Sequence, residues 1–268
     1  MRSLLARWSA EALLAALGIV AYPGTAAARQ AAMAKSGLSP SPGAAIRAIA
    51  ANRTDEARAI LQSATAREVA PDRRAAFRLQ AAQSFLFDGR YADAVTAYAA
   101  VLESGDARGI DTLTAWAHHG MAIAEAFAGN TARARGHYDE MLRVPSPSSL
   151  AVADTIEAYV LTGRRAAGNR LLDEFAGTHR ALLSRQYVQS FRALSLLLAG
   201  NCGDAIPEVW QAPDPGRPLP QAIRGVCAAK AGKRAEALAL RDSVLTQPLA
   251  DPLSWPMIVA RGLALRIH

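Results

Sequence analysis

The chain has 268 residues, 51% of them hydrophobic and only 20% charged, so it can bury a large core in one or two domains. Aromatic residues are scarce at 6%, alanine is abundant, and alternating runs of Val, Ile and Thr are nearly absent, which argues against a sheet sandwich and predicts an all-α fold. The net charge of +7 is carried almost wholly by arginine, since Lys35, Lys230 and Lys233 are the only lysines. That balance suits an anionic lipid, an acidic polymer or nucleic acid, and it equally reflects coding from a GC-rich genome.

The first predicted element is "MRSLLARWSAEALLAALGIVAYPGTAAARQ". Arg2 and Arg7 give a positive start, Leu13 to Tyr22 a short apolar stretch, Pro23-Gly24 a break, and Ala26-Ala27-Ala28 a small-residue cleavage site. This is the layout of a secretory signal peptide over residues 1–28, and the apolar run is too short to span a bilayer. Glu11 at the edge of that run fits the layout less well. The mature chain is therefore expected to be periplasmic or secreted, with no transmembrane segment. A translation start near Met33 would leave it cytoplasmic. Residues 29–42, with Ser-Pro-Ser-Pro, read as a flexible segment before a solenoid at 43–250.

"FLFDGRYADAVTAY", residues 85–98, reads as a helix, a tight break at Gly89, and a second helix. The pattern recurs. A break residue is followed five positions later by a small one at Asn52/Ala57, Gly89/Ala94, Gly129/Ala134, Gly163/Gly168, Gly200/Ala205 and Gly232/Ala237. Seven residues before each break stand Ala45, Ala82, Ala122, Ile156, Ala193 and Gly225, and Pro71, Pro145, Pro218 and Pro248 punctuate the far ends of units. Glycine or asparagine at the break can take the left-handed conformation that ends a helix. Small residues sit where two helices cross closely, and proline stops the second helix. One such hairpin cannot bury its apolar face alone, so six of them should stack with a continuous core. "QAPDPGRPLP", residues 211–220, is proline-rich and predicts a stiff connector between units five and six, and residues 252–266 predict a final helix capping the stack within 251–268.

The unit resembles the tetratricopeptide repeat, most closely in "LQAAQSFLFDGRYADAVTAYAAVL", with Ala82, Phe85, Gly89, Ala94 and Tyr98 in the expected order. "MAIAEAFAGNTARARGHYDEML" follows with Ala122, Gly129, Ala134 and Tyr138. The resemblance covers about four fifths of the chain and implies a right-handed α-solenoid. It departs from the pattern at Ile156, where a small residue is usual, at Glu125, normally apolar, and at Arg241, normally a large apolar residue.

Catalytic constellations are sparse. "GVCAAKAGKR", Gly225 to Arg234, lacks the spacing of a phosphate-binding loop and has Arg234 where a hydroxyl must hold magnesium. "LESG", Leu102 to Gly105, places Glu103 at a solvated helix end, whereas a glycan-cleaving acid needs a desolvated cleft. His118, His119 and His137 form the one histidine cluster; polar groove or surface histidines are the default reading, and a two-ligand metal site from His119 and His137 on the paired helices of unit three is the alternative. No catalytic residue, metal site or cofactor is expected. Cys202 and Cys227, in the turn of unit five and the first helix of unit six, either pair as a disulfide or remain two buried thiols.

What the resemblance implies is a non-enzymatic interaction scaffold holding a protein or peptide partner in a concave groove, and the signal-peptide layout puts it in the bacterial envelope. Accessory roles in cell-wall glycan or outer-membrane assembly are the alternative, and an RNA-binding helical-repeat protein is a weaker one, with no nucleic-acid partner expected. The repeat alignment puts Gln83, Trp116, His119, Ile123, Glu157 and Tyr187 in the groove, none of them cationic. Arg53, Arg90, Arg164, Arg165, Lys233 and Arg234 fall just past successive breaks and form one edge. That edge is either a solvated rim or a docking strip for an anionic envelope surface.

Overall fold

The computed structural model describes residues 42–107, 109–144, 148–178, 185–212, 214, 216–247 and 255–268; the expected signal peptide and nearly all of the flexible segment lie outside them. Among the described residues every regular element is a helix. Six hairpins follow one another: α1 (Pro42–Ala50) with α2 (Thr54–Arg67), α3 (Pro71–Phe87) with α4 (Tyr91–Glu103), and α5 (Asp111–Ala128) with α6 (Thr131–Arg143). Then come α7 (Ser148–Leu161) with α8 (Arg165–Thr178), α9 (Arg185–Leu198) with α10 (Cys202–Gln211), and α11 (Pro218–Lys230) with α12 (Arg234–Thr246). A last helix, α13, runs Trp255–Ala264. The helices of each hairpin pack on one another and each hairpin packs on the next, which makes the fold an α-solenoid. No described helix is long and apolar enough to cross a membrane.

All six break residues have the left-handed backbone their spacing predicts, from φ 57° at Asn52 to φ 87° at Gly129. Past the break, one amide reaches back five residues to a first-helix carbonyl: Arg53 to Ala48, Arg90 to Phe85, Asn130 to Glu125, Asn201 to Leu196 and Lys233 to Ala228, at 2.8–2.9 Å. This is a recurring helix stop that satisfies carbonyls the helix itself leaves open. The small residues at the crossings are all buried. At unit four, where Ile156 stands in the first helix, Gly168 faces it: a Cβ there would come within 3.2 Å of Tyr159 Cβ and Val160 Cγ2 and 3.5 Å of the Ile156 carbonyl. The large residue on one helix is offset by a bare backbone on the other.

The other departures also have local answers. Glu125 is buried, but its carboxylate accepts a 2.6 Å hydrogen bond from Asn130 Nδ2 and lies 3.7 Å from Arg133. Arg241 stays at the surface, paired to Asp242 and donating to the Ile267 carbonyl at 3.4 Å. The 211–220 connector is shorter than its proline content suggests, because α11 begins at Pro218, in the first helical turn. Proline costs nothing there, since those amides have no helical partner anyway.

Ala94 is fully buried at the α3–α4 crossing, whereas Ala92, two residues earlier, is exposed. Ala94→Phe should therefore lower stability by about 1–3 kcal/mol, and Ala92→Phe should leave it nearly unchanged. Thermal melts of the two variants measure the contrast.

Candidate interaction surfaces

The final helix does more than cap the stack. It packs on α11 and α12, as a cap would, and also reaches α3. Arg261, 7% exposed, donates from Nε to the Phe87 carbonyl at 2.9 Å and from Nη1 to the Leu245 carbonyl at 3.0 Å, with its guanidinium 3.7 Å over the Phe87 ring. Gly262 lies so close to Phe127 that a Cβ would sit 2.7 Å from the ring, and Arg266 donates to the Phe127 carbonyl. Trp255 packs on His119 with ring centroids 4.1 Å apart. Met257 completes the core of unit one, beside Ala45, Ala48, Ile49, Ala57 and Leu61. Outside α13, Asn52 Nδ2 of the first turn donates to the Leu245 carbonyl of the sixth unit at 3.0 Å. The first and last units thus touch, and the stack closes on itself around α13.

This closure decides what the predicted groove residues do. Gln83, His119, Ile123 and Glu157 are buried rather than open to a partner. His119 Nε2 lies 2.7 Å from Glu157 Oε1, and the Tyr138 hydroxyl donates to the same oxygen at 3.1 Å, so these polar groups bond to one another across units three and four. Only Trp116 and Tyr187 remain half-exposed, the latter stacked on Phe191 with centroids 4.4 Å apart. The expectation of an open groove lined by all six is corrected accordingly. The sequence signal for closure was the arginine and glycine in the apolar run "WPMIVARGLA", which a free end cap does not need.

The basic edge is largely paired. Arg53 meets Glu56 at 2.7 Å, Arg90 meets Asp93 at 2.7 Å, and Lys233 meets Glu236 at 3.9 Å, each three residues on along the next helix. Arg164 lies 3.7 Å from Asp139 and over the Tyr159 ring. Four of the six cations therefore carry their own acid, as a solvated rim does; Arg165 and Arg234 complete the edge.

An outer cleft of about 740 Å³ between α2, α3 and α4 escaped the sequence reading. Its walls include Arg58, Arg74, Arg78, Phe85, Ala97 and Ala100. Arg74 (2.7 Å) and Arg78 both bind Asp106, whose carboxyl is held below the usual range chiefly by the Arg74 hydrogen bond. Arg58 binds Asp55 and Asp88 at 2.6 and 2.9 Å and lies over the Phe85 ring. The arginines neutralise acids of the fold, so the cleft is not a free anion site.

The histidines sort differently from the sequence expectation. His119 belongs to the buried network above, and His137 of α6 meets His118 of α5 instead, Nδ1 to Nδ1 at 3.3 Å. Burial depresses both imidazoles below the usual histidine range. Glu103 is exposed at the end of α4 and does not sit in a desolvated cleft.

No family model matches the chain, and no curated protein matches it. Among solved structures, a tetratricopeptide repeat protein from Parabacteroides merdae ATCC 43184 is similar, with a TM-score of 0.54 over 90% of each chain at 12% identity. The fold is tetratricopeptide-like. At that identity the likeness speaks to the fold alone.

Within this tetratricopeptide-like stack, Cys202 and Cys227 form a disulfide, with S–S 2.21 Å and Cα–Cα 5.5 Å. It fastens the turn of unit five to the first helix of unit six, which in turn packs against α13. A loop of that length is worth about 3–4 kcal/mol in the chain-entropy picture.

Proposed function

We propose that this chain is a non-enzymatic protein-interaction scaffold of the bacterial cell envelope, exported with loss of residues 1–28. The partner presents an apolar helix or peptide to the strip of inner face that α13 leaves open. The observation that carries this reading is the half-exposure of Trp116 on α5 and Tyr187 on α9, while the other assigned inner positions are sealed. Partly exposed aromatics flanking a well-packed surface commonly dominate interface energy. The way α13 is held supports a helical ligand: an aromatic contact through Trp255, a close approach at Gly262, and arginine to backbone carbonyls. A disulfide between two sole cysteines agrees with an oxidising compartment.

The test is a pull-down from an envelope fraction with the wild-type chain and the Trp116→Ala/Tyr187→Ala double variant. The double variant should lose the partner while keeping the wild-type melting temperature within a few degrees, and intact mass of the recovered bait should show a start near Arg29. Undiminished capture by the double variant would remove the inner strip as the docking site. Recovery of a full-length cytosolic species would remove the envelope assignment.

A further inference from the structure

We propose that His118 and His137 form an exchangeable site for a divalent first-row transition-metal ion of the imidazole-seeking class, zinc, nickel or copper. The two rings come from the facing helices of one hairpin, and their Nδ1 atoms stand 3.3 Å apart with ring centroids 5.5 Å apart. Metal–imidazole bonds of about 2.0–2.1 Å at a tetrahedral angle put two ligating nitrogens about 3.3–3.4 Å apart. The observed spacing is that bite distance. It is longer than the usual N–H hydrogen bond of about 2.9–3.0 Å, the arrangement the pair adopts without metal.

Each neutral imidazole ligates through the Nδ1 lone pair and keeps its proton on Nε2. Without metal, one ring carries its proton on Nδ1 to bridge the other; on binding, that proton moves to Nε2 and no net charge changes. The hairpin holds the rings in place, since Gly129 ends α5 and the Asn130 amide ties the turn back to Glu125. Glu140 lies one turn beyond His137 on α6, with its carboxylate paired to Arg143 at the surface. Among the described residues no three His, Cys, Asp or Glu side chains already converge, so water fills the remaining positions. Such an open two-imidazole site binds reversibly, in contrast to a closed structural zinc site. His119 takes no part, because its ring is committed to Glu157.

Titration of the folded chain with Cu²⁺ and with Zn²⁺ tests this, in a background where His179 and His268 are replaced by Ala. Copper heads the affinity order for such ligands and reports its nitrogen neighbours by electron paramagnetic resonance. One Cu²⁺ per chain, with hyperfine structure from two imidazole nitrogens and displacement by excess Zn²⁺, is the expected result. Loss of even an outer partner of a ligating histidine costs about 10–100-fold in affinity. His118→Ala and His137→Ala should therefore each weaken binding by at least tenfold while circular dichroism stays helical. Equal affinity in either variant overturns the site, as does a background chain whose copper spectrum lacks two imidazole nitrogens. The spectrum needs no ring substitution at His118 or His137, so it decides the matter even if those variants fold poorly.

Discussion

Replacing Arg261 by Ala should lower the melting temperature by on the order of 10 °C. The side chain fills the seam where the end of the chain meets its beginning, donating to the Phe87 and Leu245 carbonyls and covering the Phe87 ring. Burial lowers its pKa to about 10, which still leaves it charged at neutral pH. Truncation leaves the buried Phe87 carbonyl without a partner, worth about 1–3 kcal/mol, leaves the Leu245 carbonyl with the Asn52 donor alone, and uncovers the Phe87 ring. Removing the buried charge returns part of that through relieved desolvation. A net loss of about 2–4 kcal/mol follows, and a domain of this size melts about 2–4 °C lower per kcal/mol. Arg261→Lys should fall between, because one compact ammonium does not reproduce the planar fork that spans two carbonyls. Melting curves of the three proteins supply the check, and wild-type stability in Arg261→Ala would mean the seam contributes little.

Gly120→Ala should be the most damaging of the glycine-to-alanine changes at the described residues. An added Cβ would stand 2.1 Å from Tyr98 Cζ and 2.3 and 2.6 Å from its Cε atoms. Tyr98 is 1% exposed and has nowhere to go; its hydroxyl has no hydrogen-bond partner among the described residues, and burial pushes its pKa up. Alanine ordinarily gains about 1 kcal/mol over glycine inside a helix. Here overpacking of about 1–3 kcal/mol or more, against a backbone-to-ring contact, outweighs that gain. Gly136→Ala is the matched control, since Gly136 is exposed on α6 with nothing within 4 Å of a new Cβ. It should stabilise slightly. Denaturant unfolding of both variants gives the sign and size of each change.

The repeat architecture was legible because each unit obeys a local rule. A break needs a left-handed residue, and a close crossing needs a small one; both leave marks at fixed spacing, from Asn52/Ala57 to Gly232/Ala237. The closure was not legible in the repeat pattern, which specifies contacts between neighbouring units only; its one mark was Arg261-Gly262 within an apolar final helix. Asn52 and Leu245 are 193 residues apart, and nothing periodic links them. The groove residues were placed on the correct helices, yet Gln83, His119, Ile123 and Glu157 are buried with the end of the chain packed inside the stack. The histidine pairing failed for a finer reason. His118 and His119 differ by one helical step of about 100°, and the alignment does not fix helix rotation that closely. The rim is the opposite case: acids three residues beyond Arg53, Arg90 and Lys233 were in plain view, and reading the cations without them overstated the edge.

Six tetratricopeptide-like hairpins close into a ring around their own C-terminal helix. The most direct measurement is the distance between spin labels placed at Arg53 and Thr246, exposed neighbours of the Asn52–Leu245 contact, by pulsed electron resonance with the native disulfide intact. Closure predicts one short, narrow distance that lengthens and broadens when Arg261 is replaced by Ala. A long, broad distribution in the wild-type chain would contradict it and restore an open solenoid with a free inner groove.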